Sequence, residues 1–254
     1  MKLIDKYLRC REEKSSILCI SLDPIPDKFS FEAEQIKKFC LEIIEETHEY
    51  CCCYKINSQH TLFALTSSDF QEINEEIHSS GCFSILDHKL SDILDSNLVA
   101  ISWIKKCGFD AFTYCPFPGN IKDTISEANK NGLGVFTLVL MSNPEAKKIQ
   151  KFLGIEGKML YEKIALEVKE ARGDGIVVGI TKEISEEDLE RLRYILGKDT
   201  IFLCPGLGKQ KGDPEKILEL GGNLLINVGR SIIYSRNPKE KAKLYMKLLK
   251  KEWR

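Results

Sequence analysis

The chain has 254 residues, of which 43% are hydrophobic and 30% charged, with 37 basic against 38 acidic side chains. This composition supports a sizeable core, and the near-neutral charge gives no basic surface of the kind that nucleic-acid-binding proteins present. No apolar run reaches the ~18 residues that span a bilayer, and no linker-like stretch divides the sequence, so we expect one cytoplasmic domain, residues 1–254, without nucleic-acid or membrane partners.

Ten cysteines form no recognisable disulfide or metal motif. No signal peptide is evident at the charged N-terminus, and no pair has Cys-x-x-Cys spacing. Cys51, Cys52 and Cys53 are consecutive in a predicted strand, so their side chains should alternate between faces and cannot converge on one metal ion. We interpret them as small buried hydrophobic residues. The four histidines also lack ligand spacing, so we predict no metal site.

Apolar or β-branched runs alternate with amphipathic helical stretches along the whole chain. The predicted strands cover residues 17–23, 51–57, 83–87, 111–115, 134–141, 175–180, 200–204 and 224–228. The predicted helices cover residues 31–50, 69–80, 93–107, 121–131, 158–171, 186–196, 214–220 and 238–253. Eight strands that are apolar on both faces and joined by helices predict an α/β fold, a (β/α)8 TIM barrel. An open doubly wound sheet is the alternative, but Gly-x-Gly-x-x-Gly is missing after the first strand.

A barrel of this kind carries its active site where the strands end. Polar side chains stand at the ends of the first, second, third and fifth predicted strands: Asp23, Lys55, Asn57, Asp87, Lys89, Ser142 and Asn143. Each one alone could be a solvated loop side chain. Together they indicate a site.

The segment from Asp87 to Asp92 has the pattern Asp-x-Lys-x-x-Asp at a predicted strand-to-helix junction. Because strand side chains alternate, Asp87 and Lys89 should point to the same side. Taken alone, the pattern is equally compatible with a surface ion pair, since it arises by chance in roughly one chain in ten of this length. With Lys55, however, it would place two ammonium and two carboxylate groups together at the open end of the barrel. Such a cluster suits a reaction that loses a negative group and develops charge at a carbon atom.

The last two strand ends predict a phosphate site. Gly206, Gly208 and Gly212 lie in the loop after the seventh strand, and Gly229 and Arg230 follow the eighth. Glycine-rich backbone can approach an anion closely, and a guanidinium supplies two parallel donors. The loops after strands seven and eight are also the usual phosphate site of barrels, although the glycines could serve tight turns alone.

Five segments together resemble the orotidine 5′-phosphate decarboxylase family. They are Tyr-Lys-Ile-Asn at 54–57, Asp-His-Lys-Leu-Ser-Asp-Ile at 87–93, Leu-Met-Ser-Asn-Pro at 140–144, the glycine-rich stretch 205–213 and Val-Gly-Arg-Ser-Ile at 228–232. The resemblance implies decarboxylation of orotidine 5′-phosphate to UMP, the last step of de novo pyrimidine synthesis, without metal or organic cofactor. It also implies a homodimer with shared active sites.

The resemblance further implies roles for single residues. Lys55, Asp87, Lys89 and Asp92 would be catalytic, with Lys89 delivering a proton to pyrimidine C6 after carbon dioxide leaves. Asp92 and the turn after it would reach into the partner's site. The implied substrate-binding residues are Asp23 and Lys55 at the ribose, Ser142 at the pyrimidine, Gln210, Gly229 and Arg230 at the phosphate, and also Ile93, Ser96, Pro205 and Gly206. The loop 206–213 would close over the substrate.

Two departures and two alternatives accompany the resemblance. Ser96 stands where the family usually has Thr, and Leu94 where Pro or Gly is common. One alternative is a Mg²⁺-dependent sugar-phosphate decarboxylase or aldolase of the same superfamily, but such an enzyme carries an acid at the position of Lys55. The other is a phosphate-binding barrel without catalysis, which would have no use for Lys89 facing Asp87.

Overall fold

The computed structural model of the protein describes residues 2–152, 154, 157–207 and 214–253. Eight parallel strands close into a barrel in which each strand pairs with the next and the last pairs with the first. The predicted (β/α)8 barrel is therefore confirmed. The strands are β1 Leu18–Leu22, β2 Cys53–Asn57, β3 Phe83–Leu90, β4 Ala111–Tyr114, β5 Gly134–Leu140, β6 Gly175–Val178, β7 Ile201–Pro205 and β8 Leu224–Val228.

All eight predicted helices are present, and the described residues contain four further α-helices as well as 3₁₀ turns at Pro26–Phe29 and Pro144–Ala146. The helices are α1 Leu3–Lys14, α2 Ala33–Thr47, α3 Ser58–Thr61, α4 Ser67–Ser79, α5 Leu94–Lys106, α6 Ile121–Lys130, α7 Lys147–Gln150, α8 Leu160–Glu170, α9 Glu186–Leu196, α10 Pro214–Glu219, α11 Arg230–Ile233 and α12 Pro238–Trp253. The sequence did not predict α1, α3, α7 and α11. Three of these are single turns of four residues, too short to show a helical period.

Side-chain caps fix where two of the long helices begin. Thr66 precedes α4, and its amide N–H donates to the Asp69 carboxylate at 2.8 Å. Ser185 precedes α9, and its amide donates to Asp188 at the same distance. Each pair is a capping box, which satisfies amide groups that the first helical turn leaves free.

The strand side chains alternate between two apolar layers. Leu18, Ile20 and Leu22 of β1 pack outward in the layer between strands and helices, whereas Ile85 and Phe136 belong to the cluster inside the barrel. Because both faces are buried, the strands lack polar alternation. A polar residue at an inward position is therefore a departure that needs a reason.

Helix α1 closes the N-terminal end of the barrel. Leu3, Tyr7 and Cys10 are buried in the inner cluster, and the Tyr7 hydroxyl donates to the carbonyl of Leu224 at 2.8 Å. Gly134 admits this helix, because a Cβ at that position would lie 2.2 Å from Leu3 Cδ2. Charged residues dominate the helix, so its narrow apolar stripe gave no clear signal in the sequence. With this end closed, the interior opens only toward the C-terminal ends of the strands.

The three consecutive cysteines are fully buried, as predicted. The predicted alternation of all three is wrong, however. Cys51 packs in the outer layer, while Cys52 and Cys53 both belong to the inner cluster, because β2 begins only at Cys53 and Cys52 lies outside its alternation. No helix within the described part of the chain has the length and apolar character needed to cross a membrane.

Candidate active site

A cavity of about 240 Å³ lies at the C-terminal ends of the strands, the end that carries catalysis in barrel enzymes. This size suits a small molecule rather than a macromolecule. Residues from all eight strands and from the segments that follow β1, β5, β7 and β8 converge there. The polar and glycine residues of its wall are Ser21, Asp23, Lys55, Asn57, Asp87, Lys89, Thr113, Ser142, Gly206, Asn227, Gly229, Arg230 and Ser231.

Three charged side chains form an array in this cavity, which we call the charged array: Lys55, Asp87 and Lys89. Lys55 Nζ donates to Asp87 Oδ2 at 2.5 Å, and Lys89 Nζ donates to Asp87 Oδ1 at 2.7 Å. The side chains of Lys55 and Asp87 are almost fully buried, whereas 39% of the Lys89 side chain is exposed. Lys89 is therefore the member of the array with the greatest access to the cavity.

Ionisation of the array follows from these contacts. Burial by itself would raise the pKa of the Asp87 carboxyl, but the ammonium groups of Lys55 and Lys89 hold it well below its usual range. Burial would lower the pKa of Lys55, but the carboxylates of Asp87 and Asp23 raise it above its ordinary value. At neutral pH, the floor of the cavity thus holds a fixed carboxylate and a fixed ammonium group.

The predicted contact between Asp87 and Lys89 occurs, but the predicted reason for it is wrong. Lys89 has a φ of 55°, in the left-handed region, and the register between β3 and β4 shifts here. The regular alternation of side chains along a strand is therefore interrupted before Lys89. The side chains meet because the backbone turns at this residue.

Asp23 follows β1 and lies in the cavity wall. Its Oδ1 atom is buried and has no hydrogen-bond partner among the described residues. A buried carboxylate oxygen without a partner is costly, so this atom is a candidate acceptor for a hydroxyl of a ligand. Ser142 also lies in the wall, whereas the neighbouring Asn143 is held by Glu145 at 3.0 Å and is absent from it.

The predicted phosphate end lies on one side of the same cavity. Pro205, Gly206, Gly229 and Arg230 all contribute to its wall. Gly206 has a φ of 126°, which side chains rarely adopt, so a turn at this point requires glycine. Gln210 and the rest of the stretch 208–213 lie outside the described residues.

Asp92, Ile93 and Ser96 are not part of the wall of this cavity. All three are exposed, and Asp92 Oδ1 accepts from the amide of Ile93 at 2.7 Å. Ile93 caps α5, so the turn from Asp92 lies at the start of that helix. The chain's own cavity brings together the charged array and the phosphate end, but not this turn.

Three polar residues in the cavity wall escaped the sequence analysis: Ser21, Thr113 and Asn227. The Ser21 hydroxyl donates to Asn227 Oδ1 at 3.1 Å, and Thr113 contacts Asp87. Each is a single polar residue inside an apolar strand, which is easily taken as tolerated variation. Their position in the strands could have revealed them, because all three lie at inward-facing positions of strands whose other inward-facing residues are apolar.

Comparisons with known proteins agree with this geometry. A sequence model described as "Orotidine 5'-phosphate decarboxylase / HUMPS family" matches residues 16–245. The orotidine 5'-phosphate decarboxylase of Cupriavidus metallidurans is 31% identical over 246 residues, which make up 90% of this chain and 88% of that protein.

Solved structures are similar over nearly the whole chain. The UMP synthase of Leishmania donovani has a TM-score of 0.85 at 26% identity, covering 98% of this chain and 56% of that one, so this chain spans about half its length. The orotidine 5'-monophosphate decarboxylase of Methanocaldococcus jannaschii, complexed with the inhibitor BMP, has a TM-score of 0.73 at 25% identity, covering 91% and 97%. With a family match over residues 16–245, the chain belongs to the orotidine 5'-phosphate decarboxylase / HUMPS family.

Proposed function

We propose that this protein is a carboxy-lyase that decarboxylates orotidine 5′-phosphate to UMP, the last step of de novo pyrimidine synthesis, using only its own side chains. The observation that carries the proposal is the charged array, in which Asp87 lies between Lys55 and Lys89 in the cavity of a barrel of this family. For this pathway enzyme we propose a cytoplasmic location.

Lys89 is the proton donor in this proposal. When carbon dioxide leaves, the electron pair of the broken bond remains at pyrimidine C6, and a cation close to that atom stabilises the developing charge. The Lys89 ammonium then transfers a proton, so that an N–H bond breaks and the C6–H bond forms. Both lysines contact Asp87, but the Lys89 side chain is 39% exposed and that of Lys55 is almost fully buried, which supports Lys89 in this role.

The remaining wall residues supply substrate contacts. Asp23 would accept from a ribose hydroxyl, which gives its unpaired Oδ1 a partner, and Lys55 of the same cavity wall would also contact the ribose. Ser142 would contact the pyrimidine, and Gly229 and Arg230 the phosphate. Gln210 and the loop 206–213 are proposed to join the phosphate contacts, with the loop closing over the substrate and excluding water.

We also propose a homodimer in which the turn with Asp92, Ile93 and Ser96 completes the partner's site. Its outward position supports this role, as does exposed apolar surface nearby. Ile93 and Phe117 are 65% and 92% exposed, and the loop containing Phe117 is tied to the turn by a 3.0 Å hydrogen bond from Asn120 Nδ2 to the Asp92 carbonyl.

The activity is tested by following the loss of orotate absorbance when the protein is mixed with orotidine 5′-phosphate, with UMP identified as the product. Wild-type protein should turn over this substrate and should keep its full rate after exhaustive EDTA treatment. A protein that leaves orotidine 5′-phosphate unchanged would refute the proposal.

The second candidate is a Mg²⁺-dependent sugar-phosphate decarboxylase or aldolase of the same superfamily. The charges at the site argue against it, because Asp87, the obvious carboxylate ligand, already contacts the ammonium groups of Lys55 and Lys89. Two ammonium groups on Asp87 would also repel a dication. Faster turnover of 3-keto-gulonate 6-phosphate, or loss of activity with EDTA and recovery with Mg²⁺, would favour this candidate.

Shared sites are tested with hybrid dimers. Lys89→Ala and Asp92→Ala subunits should each be inactive alone. In a hybrid dimer, one site combines native Lys89 from one subunit with native Asp92 from the other, so mixing should restore activity. Mixing two preparations of Lys89→Ala is the matched control. No recovery in verified heterodimers would place Asp92 in its own subunit's site.

A further inference from the structure

Thr113 occupies an unusual position between β3 and β4. The pairs Leu86↔Phe112 and Leu90↔Tyr114 show that β3 advances four residues (86 to 90) while β4 advances two (112 to 114). The extra length of β3 holds Asp87 and Lys89, and Thr113 is the β4 residue opposite it. An irregularity of this kind leaves backbone groups without ladder partners and re-aims side chains.

The Thr113 hydroxyl takes the place of a missing ladder contact. The backbone N–H of Lys89 donates to Thr113 Oγ1 at 2.9 Å, and Thr113 Oγ1 donates to Asp87 Oδ1 at 3.0 Å. The two bonds fix the direction of the hydroxyl, since its single proton goes to the carboxylate and a lone pair receives the amide. One buried oxygen therefore joins the Lys89 main chain to the Asp87 side chain.

This connection matters because Lys89 is in a strained conformation. A φ of 55° is unfavourable for a residue with a side chain, so a surrounding contact must hold it. If Lys89 relaxed to ordinary strand geometry, its side chain would move relative to Asp87, because the side-chain direction in a strand depends on register. Thr113 is 2% exposed, and as a β-branched residue in a strand it has few rotamers available.

We propose that Thr113 is a positioning residue for the charged array. It holds the Lys89 backbone in the left-handed conformation and completes the hydrogen bonding of Asp87, so that the Lys89 ammonium faces the reacting carbon. The inference rests on the proposed decarboxylase function and adds a residue to it. Thr113 acts through Lys89 and Asp87, so its loss should slow the chemical step more than it weakens substrate binding.

Four variants test this role. Thr113→Val keeps the shape without the hydroxyl, Thr113→Ala removes the side chain, and Thr113→Ser restores the hydroxyl alone. The matched control is Thr137→Val, a buried threonine of β5 on the outward face whose hydroxyl has no hydrogen-bond partner among the described residues.

The measurements are kcat and KM for orotidine 5′-phosphate, Kd for UMP, and the melting temperature. Thr113→Val and Thr113→Ala should lower kcat about 10- to 100-fold, as expected for losing a hydrogen bond to a charged group. KM and the Kd of UMP should stay within about threefold of wild type, since the phosphate end is intact. Thr113→Ser should recover most of the loss, and Thr137→Val should behave as wild type.

The inference is overturned if Thr113→Val keeps more than half of the wild-type kcat, or if Thr113→Ser falls as far as Thr113→Ala. It is also overturned if the loss appears in UMP affinity and melting temperature rather than in kcat, which would indicate a purely structural residue. Should Thr113→Val fail to fold, the Ser and Ala pair decides, because they differ only by the hydroxyl. Wild-type protein without decarboxylase activity would refute the proposed function instead.

Discussion

Two buried aspartates lie between basic side chains, one at each end of the barrel. Asp87, in the charged array, lies at the C-terminal end. Asp110 precedes β4 at the N-terminal end, where its carboxylate accepts hydrogen bonds from Lys6, from His78 Nε2 at 2.8 Å and from the amide of Ser84 at 2.9 Å. The local chemistry of the two clusters is therefore closely similar.

The clusters differ in what they face. The charged array lines a cavity, and part of Lys89 is open to it. Asp110 contacts Lys6 of α1, which fills that end of the barrel, and it does not line the cavity that holds the charged array. An ion cluster becomes an active site when a substrate can reach it; otherwise it fixes one element to another. Variants in the charged array should therefore lower activity, whereas variants around Asp110 should lower stability.

The largest effect is expected for Lys89→Ala. Loss of the proton donor and of its charge should lower kcat by about 10³-fold or more, since general acid and electrostatic contributions each reach 10²–10⁴. UMP affinity should largely persist, because the phosphate contacts lie elsewhere. Steady-state kinetics and UMP titration measure the two quantities.

The matched control is Lys6→Ala, which removes a lysine from the other cluster. It should leave kcat per folded molecule at the wild-type value and lower only the melting temperature. If Lys89→Ala kept a tenth of the wild-type activity, or if Lys6→Ala lowered kcat strongly, the assignment of one catalytic and one structural ion cluster would be wrong.

The sequence predicted one of these clusters and missed the other for a physical reason. Asp87 and Lys89 are two residues apart and stand at a strand end, where a local pattern is visible. Asp110 meets Lys6 and His78 across 104 and 32 residues, and the first of these partners lies on a helix that was not predicted. Partners that only the closed barrel brings together leave no local pattern.

Backbone geometry set a second limit on the sequence analysis. The eight strands and the polar residues at their ends were predictable, because apolar runs and strand order determine them. The left-handed conformation of Lys89 was not, since that region usually signals Gly, Asn or Asp. The role of Thr113 depends on that conformation and was therefore invisible as well.

Asp110→Asn should destabilise the fold by about 3 kcal/mol, at the lower end for breaking a buried ion pair because Lys6 and His78 are partly exposed. Activity of the folded fraction should be unchanged. Denaturant unfolding monitored by circular dichroism gives the free energy of unfolding. Measuring kcat per active site gives the activity of the folded fraction. A kcat loss comparable to that of Lys89→Ala would contradict the assigned structural role.

The same variant has a defined pH dependence. Burial would raise the pKa of the Asp110 carboxyl, but hydrogen bonds from His78 and Lys6 lower it below its usual value. Its contribution is thus fully present above the unfolded pKa of about 3.9 and is lost as pH falls through the folded pKa. The stability gap between wild type and Asp110→Asn should therefore narrow in acid. A gap that widens in acid would reverse the sign of the assigned shift.

Arg230→Ala tests a cation of the same cavity that lies away from the charged array. Arg230 is exposed in this structure, so its contact with phosphate should form when substrate binds. We expect kcat/KM for orotidine 5′-phosphate to fall by an amount equivalent to about 1.5–3 kcal/mol of activation free energy, the range for a hydrogen bond to a charged group. Orotidine without phosphate should be a poor substrate for wild type and hardly worse for the variant. A large further loss on orotidine would mean that Arg230 acts elsewhere.

The smallest effect is expected from a third ion cluster, on the outer surface. Lys37 of α2 lies 3.1 Å from Glu34, 3.3 Å from Asp69 and 3.1 Å from Glu72, and hydrogen bonds to Glu72 and the other two carboxylates raise its pKa. The partner carboxylates Glu34 and Glu72 are 81% and 54% exposed, against 3% for Asp110, so their attraction to Lys37 is weakened by solvent and by salt. Lys37→Ala should lower the melting temperature less than Asp110→Asn does, and the difference should shrink in high salt, while kcat stays at the wild-type value. Lys38→Ala, the neighbouring lysine with a single 3.7 Å contact to Glu42, is the control and should change little. If Lys37→Ala lowered the melting temperature as much as Asp110→Asn does, and independently of salt, burial of the carboxylate would not explain the difference between the two clusters.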